Sequence, residues 1–308
     1  MKGWQPAFLF IFATVYFGRT ANAWAYCRTT TCDREQAPPD CVSSRINGCS
    51  TQGVPIAWPS TCVSASVSAY GSDNGRGTTI TADTMRSLVH NAFQKWTTVA
   101  CQNGGSPNFV VDMFPDVACA DASGEASYKV SGPNFNLWIF RDHDWPHDNV
   151  GENAIALTST LFDSNTGEIY DSDVDLNSLD NDFAVGDDPE KMDLQSVIQH
   201  ESGHFLGLAH SALSDATMWP EISIGQTSLR ILSQDDRDAI CAAYPPGHLD
   251  PSCDPEPRHG FSTQCDFQRS GCAVAPGRFA RGVTLWQGLG LALFGLIASG
   301  RRLRRNDR

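Results

Sequence analysis

Positive charge is scarce in this chain. Its 308 residues include 22 Lys and Arg against 35 Asp and Glu, which gives a formal net charge of −13. Such a surface repels phosphate groups, so we exclude nucleic acid as a partner. The 11 cysteines also lack the C-x-x-C pairs of a zinc knuckle. Disulfides formed in an oxidising compartment therefore explain them better than metal binding does.

The N-terminus has the pattern of a secretory signal. Lys2 precedes the apolar run Pro6–Phe17, and Ala21-Asn22-Ala23 follows it. The run is too short to span a bilayer, so we predict a signal peptide over residues 1–23 and an exported protein, extracellular or on the cell surface. The next segment, residues 24–53, is polar and cysteine-rich, and we expect disulfides to hold it together in a pairing that the sequence leaves open.

The segment HESGHFLGLAH, which begins at His200, has the spacing of a catalytic zinc site. His200 and His204 lie one helical turn apart, so on a helix both imidazoles can reach a single ion. Glu201 lies about 100° around that helix, where a general base could contact a zinc-bound water. Gly207 can adopt the positive φ that ends a helix, which returns His210 as a third ligand and leaves the fourth position open.

The motif H-E-x-x-H-x-x-G-x-x-H resembles that of the metzincin zinc endopeptidases. Met218, within ATMWP, lies where their methionine turn passes under the metal, and Ser211 after the third histidine is similar to the matrixin branch. The resemblance covers Val54 to Pro246. It implies an α+β catalytic domain with a twisted mixed β-sheet, three main helices and a methionine turn under the zinc.

The same resemblance implies the activity and the substrates. Glu201 would take a proton from the water and pass it to the leaving amine, so that peptide bonds of protein or peptide substrates are hydrolysed. An edge strand near Ile155–Thr158 would receive the substrate by main-chain hydrogen bonds, and Pro220–Ile222 would form a wall of its pocket. We expect a monomer. Two alternatives stay open: a catalytically inactive surface adhesion protein on this fold, and a metal-assisted hydrolase of cell-wall material.

Hydrophobic periodicity predicts the order of the elements. A helix with Asp83 as its N-cap follows a first strand, and strands lead from it to a second helix capped by Asp193. Ser233 and Asp236 form a capping box for a third helix, which Pro245-Pro246 ends. The predicted strands are Cys62–Tyr70, Phe109–Met113, Asn136–Phe140, Ala154–Leu161 and Gly167–Leu176.

Further metal sites are less strongly indicated. The acidic stretch Asp163–Asp175 is a candidate for calcium, although its DSNTG sequence is read first as a hairpin turn. His143 and His147 could belong to a structural zinc site, but Tyr170 and Leu157-Thr158 stand where the resemblance leads one to expect further histidines. We therefore expect no structural zinc, and both histidines exposed in a loop. The PRCGVPD-like motif by which a matrixin pro-segment covers the zinc is absent, although an N-terminal cysteine with that role remains the alternative.

The C-terminal region differs in composition from the rest. After a cysteine-containing linker over residues 247–282, residues 283–300 carry no charge, and an arginine-rich tail follows over 301–308. We predict a transmembrane segment with the tail in the cytoplasm; a buried helix is the alternative. GCAVAPG, the short span and the arginines together resemble the C-terminal sorting tails of myxobacterial surface proteins, which implies processing or lipidation near Cys272.

Overall fold

A computed structural model describes residues 26–33, 41, 45–46, 49–73, 75, 78–119, 128–147 and 154–264, together with the strand 289–298. The predicted signal peptide, Cys272 and the arginine-rich tail lie outside the described residues. Three α-helices are described: α1 (Ala82–Thr97), α2 (Leu194–Phe205) and α3 (Gln234–Ala243), with a 3-10 turn at Ser228–Arg230. The strands are β1 (Arg45–Ile46), β2 (Cys49–Ser50), β3 (Cys62–Val67), β4 (Ser72–Asp73), β5 (Thr79–Ile80), β6 (Val110–Met113), β7 (Leu137–Phe140), β8 (Ala154–Asp163), β9 (Ile169–Leu176), β10 (Phe183–Ala184), β11 (Met192–Asp193), β12 (Glu221–Ile222) and β13 (Leu289–Ala298).

The main sheet has seven strands in the order β12-β13-β8-β9-β7-β3-β6. Strands β9, β7, β3 and β6 run parallel to one another, whereas β8 is antiparallel to both β9 and β13. This mixed sheet and the three helices confirm the predicted α+β class.

Helix α1 packs one apolar face into the core. Its buried side chains recur at helical spacing: Met85, Val89, Ala92, Phe93 and Trp96. The predicted N-cap was wrong by two residues, because the hydroxyl of Thr81 accepts the N–H of Thr84 and Asp83 lies inside the first turn. There Asp83 forms an ion pair with Arg86.

The β8–β9 hairpin closes at the predicted DSNTG turn. The carboxylate of Asp163 accepts the backbone N–H groups of Asn165 and Thr166 at 2.7 and 3.1 Å. These bonds satisfy backbone N–H groups of the turn and fix the register in which β9 pairs with β8. The hairpin prediction is confirmed, and the calcium prediction for this stretch stays a prediction.

Four disulfides join described cysteines. Cys27–Cys49 and Cys32–Cys41 lie within the N-terminal extension, as expected, while Cys62–Cys253 and Cys101–Cys241 connect distant parts of the fold. Cys119 is also disulfide-bonded. Such bonds fit an oxidising compartment.

The expected linker is attached to the domain in its described part. Besides the disulfide at Cys253, Phe261 forms a β-bridge with Asn134, and Gln264 forms one with Ala118.

The C-terminal apolar segment is described over residues 289–298, where it forms β13 beside β8. The expectation that Ile155–Thr158 belongs to an edge strand was therefore wrong for this sheet, because an uncharged segment of the same chain pairs with it. Among the described residues, no helix has the length and apolar character needed to cross a membrane.

Candidate active site

Helix α2 carries two of the three predicted zinc ligands. Asp193 caps it as predicted, accepting the N–H of Ser196 at 2.7 Å. His200 and His204 follow on the same helical face, and their Nε2 atoms lie 3.0 Å apart. Both side chains are fully buried.

The chain turns directly after this helix. Gly207 has φ +84°, and a Cβ there would lie 2.6 Å from the carbonyl oxygen of Ile56, so glycine is required on both counts. The turn brings His210 back to the helix, with its ring centroid 5.3 Å from that of His200 and 4.8 Å from that of His204. One ligand atom from each histidine lies within 4.8 Å of the others. Within the part of the chain that the structure describes, this is the only such cluster of three or more histidine, cysteine or acidic residues.

The hydrogen bonds of the imidazoles fit a divalent metal ion. His200 Nδ1 lies 2.7 Å from the carbonyl oxygen of Thr217, and His204 Nδ1 lies 2.8 Å from that of Leu208. A carbonyl only accepts, so each Nδ1 carries the proton and each Nε2 presents a lone pair to the cluster. Burial lowers the pKa of His200 to about 3, with the charge of His210 adding to the effect, and burial also lowers the pKa of His204. Neutral imidazoles that converge in this way suit zinc.

Glu201 lies between the two helical histidines in sequence and is fully buried. Its Oε2 accepts a hydrogen bond from the hydroxyl of Thr158 on β8 at 2.5 Å. A buried carboxylate that is adjacent to His200 in the sequence and is held by a strand of the sheet has the chemistry of a general base. Sequence reasoning had placed Thr158 on the substrate strand without linking it to Glu201.

Met218 packs directly against helix α2 at Gly203, which has no side chain to separate the two. A Cβ on Gly203 would lie 2.3 Å from the Met218 sulfur and 3.0 Å from the ring of Trp96. Trp96 in turn donates from Nε1 to the Gln199 carbonyl at 2.9 Å. Gly203 was missed by sequence reasoning, although its place between the motif's histidines was the available signal.

Asp236 of helix α3 holds the backbone around Met218. Besides forming the predicted capping box with Ser233, its carboxylate accepts the N–H groups of Thr217 at 2.7 Å and Met218 at 3.1 Å. Burial raises the pKa of Asp236, although these hydrogen bonds oppose the shift. The Thr217 carbonyl in turn accepts a hydrogen bond from His200, a candidate zinc ligand. Asp236 therefore orients His200 indirectly, by fixing the backbone that carries this carbonyl.

The N-terminal extension also touches the histidine loop. Thr29 donates to the Gly207 carbonyl at 3.1 Å, and the N–H of Ala209 donates to the Cys27 carbonyl at 3.0 Å. The Cys27–Cys49 disulfide lies at this contact. The extension therefore supports the turn that delivers His210, and no described cysteine belongs to the histidine cluster.

The second candidate metal region is organised differently from the prediction. His143 is exposed, but the expectation that His147 is exposed as well was wrong: its Nε2 lies 2.6 Å from Asp175, and both side chains are buried. Arg141 pairs with the other Asp175 oxygen at 2.7 Å. Burial would raise the pKa of Asp175, but the bonds to His147 and Arg141 lower it overall. His90 on α1 is exposed.

Two further carboxylates on the same face of β9 have no such cationic partner at hydrogen-bond distance among the residues that the structure describes. Asp171, Asp173 and Asp175 occupy every second position of the strand and so lie on one face. Asp171 and Asp173 are both buried. Burial raises the pKa of Asp171 to about 7, and burial together with the charge of Asp171 raises that of Asp173. The N–H of Leu137 donates to Asp173 at 2.7 Å.

Comparison with known proteins agrees with this geometry. Residues 141–245 match the model of the Matrixin family. Metalloendoproteinase 1 of Glycine max is 30% identical over 169 residues, which cover 53% of this chain and 46% of that protein. Neutrophil collagenase of Homo sapiens is 50% identical over 48 residues, covering 16% of this chain and 10% of the relative, and Metalloendoproteinase 5-MMP of Arabidopsis thaliana is 47% identical over 53 residues, covering 17% and 14%.

The matched regions thus span less than half of each of these relatives. Residues 141–245, which match the Matrixin family model, include β8, β9, α2 and α3, together with all three clustered histidines. The similarity supports a zinc metalloendopeptidase of the matrixin kind in general terms.

Proposed function

We propose that this chain is an exported, zinc-dependent endopeptidase that hydrolyses peptide bonds of protein or peptide substrates. One observation carries the proposal: three imidazoles converge, with the buried carboxylate of Glu201 adjacent to them in the sequence. The similarity to metalloendoproteinases and the disulfides of the fold support the activity and the export, respectively.

His200, His204 and His210 would hold the metal through their side-chain nitrogens. When bound, zinc supplies Lewis-acid chemistry, which polarises a carbonyl group and lowers the pKa of water to about 7. The carbonyl oxygens of Thr217 and Leu208 keep two of the rings oriented for this task.

Glu201 acts as the general base and then as the general acid. Its carboxylate accepts a proton from the attacking water and donates it to the nitrogen of the leaving amine, which restores the carboxylate for the next turnover. Thr158 positions the carboxylate through the bond to Oε2. Met218, packed against Gly203, supports the helix from below in the role of a methionine turn.

The substrate would lie extended between β8 and β12, in the position that β13 takes in this structure. Both strands can offer main-chain hydrogen bonds, so the peptide backbone is recognised whatever its sequence, and the pocket beside Pro220–Ile222 selects a side chain. This arrangement suits an endopeptidase that acts on unfolded segments.

The test is digestion of unfolded casein by the purified full chain, with peptidoglycan assayed in parallel. We expect casein fragments, loss of cleavage with 1,10-phenanthroline, and recovery on adding Zn²⁺. Cleavage of peptidoglycan without cleavage of casein would overturn the proposal, and so would activity that survives complete removal of metal. Mass spectrometry of a digested peptide library would then define the cleavage preference.

A further inference from the structure

Strand β13 lies where the proposed substrate would bind. It pairs antiparallel with β8 from Leu289↔Asp163 to Ile297↔Ala154, and on its other side it pairs parallel with β12 through Ile297↔Glu221 and Ala298↔Ile222. Strand β13 therefore pairs with both sides of the cleft, with β8 along its length and with β12 through its last two residues.

The register places the middle of this strand beside the proposed catalytic base. Phe294 pairs with Thr158, and Thr158 is the residue whose hydroxyl bonds to Glu201. Strand β13 also contacts helix α2, which carries the histidines. The peptide units around Phe294 thus cross the cleft at the level of the candidate metal site.

The sequence of the strand suits burial in this position. LGLALFGLIA contains no charge and no proline, so every residue can donate to a neighbouring strand and no charged group is desolvated. Because the segment belongs to the same chain, its binding is an intramolecular event, which favours it over a free peptide.

We propose that residues 289–298 are an intramolecular inhibitor, bound in the substrate cleft as an added strand. The inference rests on the proposed function. It assigns a means of latency that needs no cysteine, because the segment excludes a substrate from β8 and β12 without contributing a ligand. The segment competes with substrate, so its removal lowers the apparent KM and leaves kcat unchanged.

Occupancy is tested first, by a readout that does not depend on activity. Ser159 and Leu293 are directly paired across the two strands, and such paired positions are the ones that a cross-strand disulfide can join. In the full chain, S159C with L293C should form a disulfide on mild oxidation, mapped by mass spectrometry of a non-reduced digest. The matched control is S159C with L285C, which lies in the same apolar run but before the strand. Equal crosslinking in both variants, or none in the first, would overturn the proposal.

Inhibition is tested by L293P with F294P in the full chain. Two consecutive prolines remove adjacent N–H donors, one of which must face β8 in an antiparallel pair. We expect the apparent KM for a casein-derived peptide to fall about tenfold, as binding-competent molecules become the majority. The control T284P with L285P places the same change before the strand and should leave KM unaltered.

The outcomes separate this inference from the proposed function. If the crosslink forms but no variant cleaves any protein substrate, the peptidase assignment fails while the occupied cleft stands. If the variants are active peptidases and the proline pair leaves KM unchanged, the inhibitory role is overturned. Recovery of a wild-type chain cut within 289–298 would also overturn it, because the segment would then be a substrate.

Discussion

The hydroxyl of Thr158 donates a hydrogen bond to the carboxylate of Glu201, with 2.5 Å between Oγ1 and Oε2. A donor at this distance stabilises the ionised carboxylate over the protonated acid. The sheet thereby acts on the proton affinity of the proposed base, in addition to its role in holding substrate.

Thr158→Val should therefore move the acid limb of the pH profile of kcat/KM to higher pH. Loss of this hydrogen bond removes stabilisation of the charged carboxylate, so its pKa should rise. The profile is measured on a peptide substrate between pH 4 and 8. Thr158→Ser keeps the hydroxyl and should retain the wild-type limb; an unshifted limb in the valine variant would mean that Glu201 is not the titrating base.

Glu201→Gln should bind zinc normally and lose nearly all turnover. The amide removes the proton acceptor and leaves the three imidazoles in place, so kcat should fall by roughly 10²- to 10⁴-fold or more. Zinc content is measured by atomic absorption and turnover by peptide hydrolysis. A variant within tenfold of wild type would contradict the assigned mechanism.

His210→Ala should lower zinc affinity as well as rate. Outer-shell partners of a metal ligand alone contribute about 10- to 100-fold in affinity, so loss of a ligand should cost more than about 100-fold. Competition with a chromophoric chelator measures the affinity, and His90→Ala, an exposed histidine on α1, is the control. Wild-type affinity in the His210 variant would show that the third ligand has been assigned to the wrong residue.

Sequence reasoning succeeded where the determining contacts are local. The two helical histidines, the Asp193 cap and the turn at Gly207 depend on spacings of a few residues, and all three appear in the structure as predicted. The bond between Thr158 and Glu201 joins residues 43 apart, and no periodicity encodes such a contact. Similarly, Asp236 satisfied the capping-box pattern, which concealed that its carboxylate also binds the backbone at Met218.

The C-terminal segment shows why an apolar composition does not define a single location. An uncharged run of this length fits a bilayer, a protein core or an open sheet edge equally well, because all three reward the removal of apolar surface from water. The sheet edge can be distinguished from the other two only by the open pairing position beside β8. Because β8 lies in a distant part of the sequence, the composition of the C-terminal segment does not show it.

Gly203→Ala should destabilise the fold by about 1–3 kcal/mol, the usual cost of overpacking a core. The new methyl group would collide with the Met218 sulfur, 2.3 Å away. Urea unfolding of the metal-free protein measures the change. In a Met218→Ala background the same substitution should cost less, since the obstacle is gone. An equal cost in both backgrounds would exclude this contact as the reason for glycine.

Asp171→Asn should stabilise the protein at neutral pH and have little effect in acid. Burial raises the pKa of Asp171 in the folded state to about 7, above its value of about 3.9 in the unfolded chain. The folded state therefore retains a proton that the unfolded state releases, so stability falls as pH rises from about 4 to about 7 and is level beyond. The amide removes this penalty, by a few kcal/mol at pH 8. Urea unfolding in EDTA at pH 4, 6 and 8 measures the difference from wild type.

Asp163→Asn provides a control of opposite sign. Backbone hydrogen bonds from Asn165 and Thr166 lower the pKa of Asp163, so its ionised form stabilises the hairpin turn above the unfolded pKa, and that contribution is lost as pH falls through the folded one. The substitution should therefore weaken the protein at pH 8 and become neutral in strong acid. If Asp171→Asn also weakened the protein at pH 8, the buried carboxylate would have to be stabilised in its charged form, and the assigned direction of its pKa shift would be wrong.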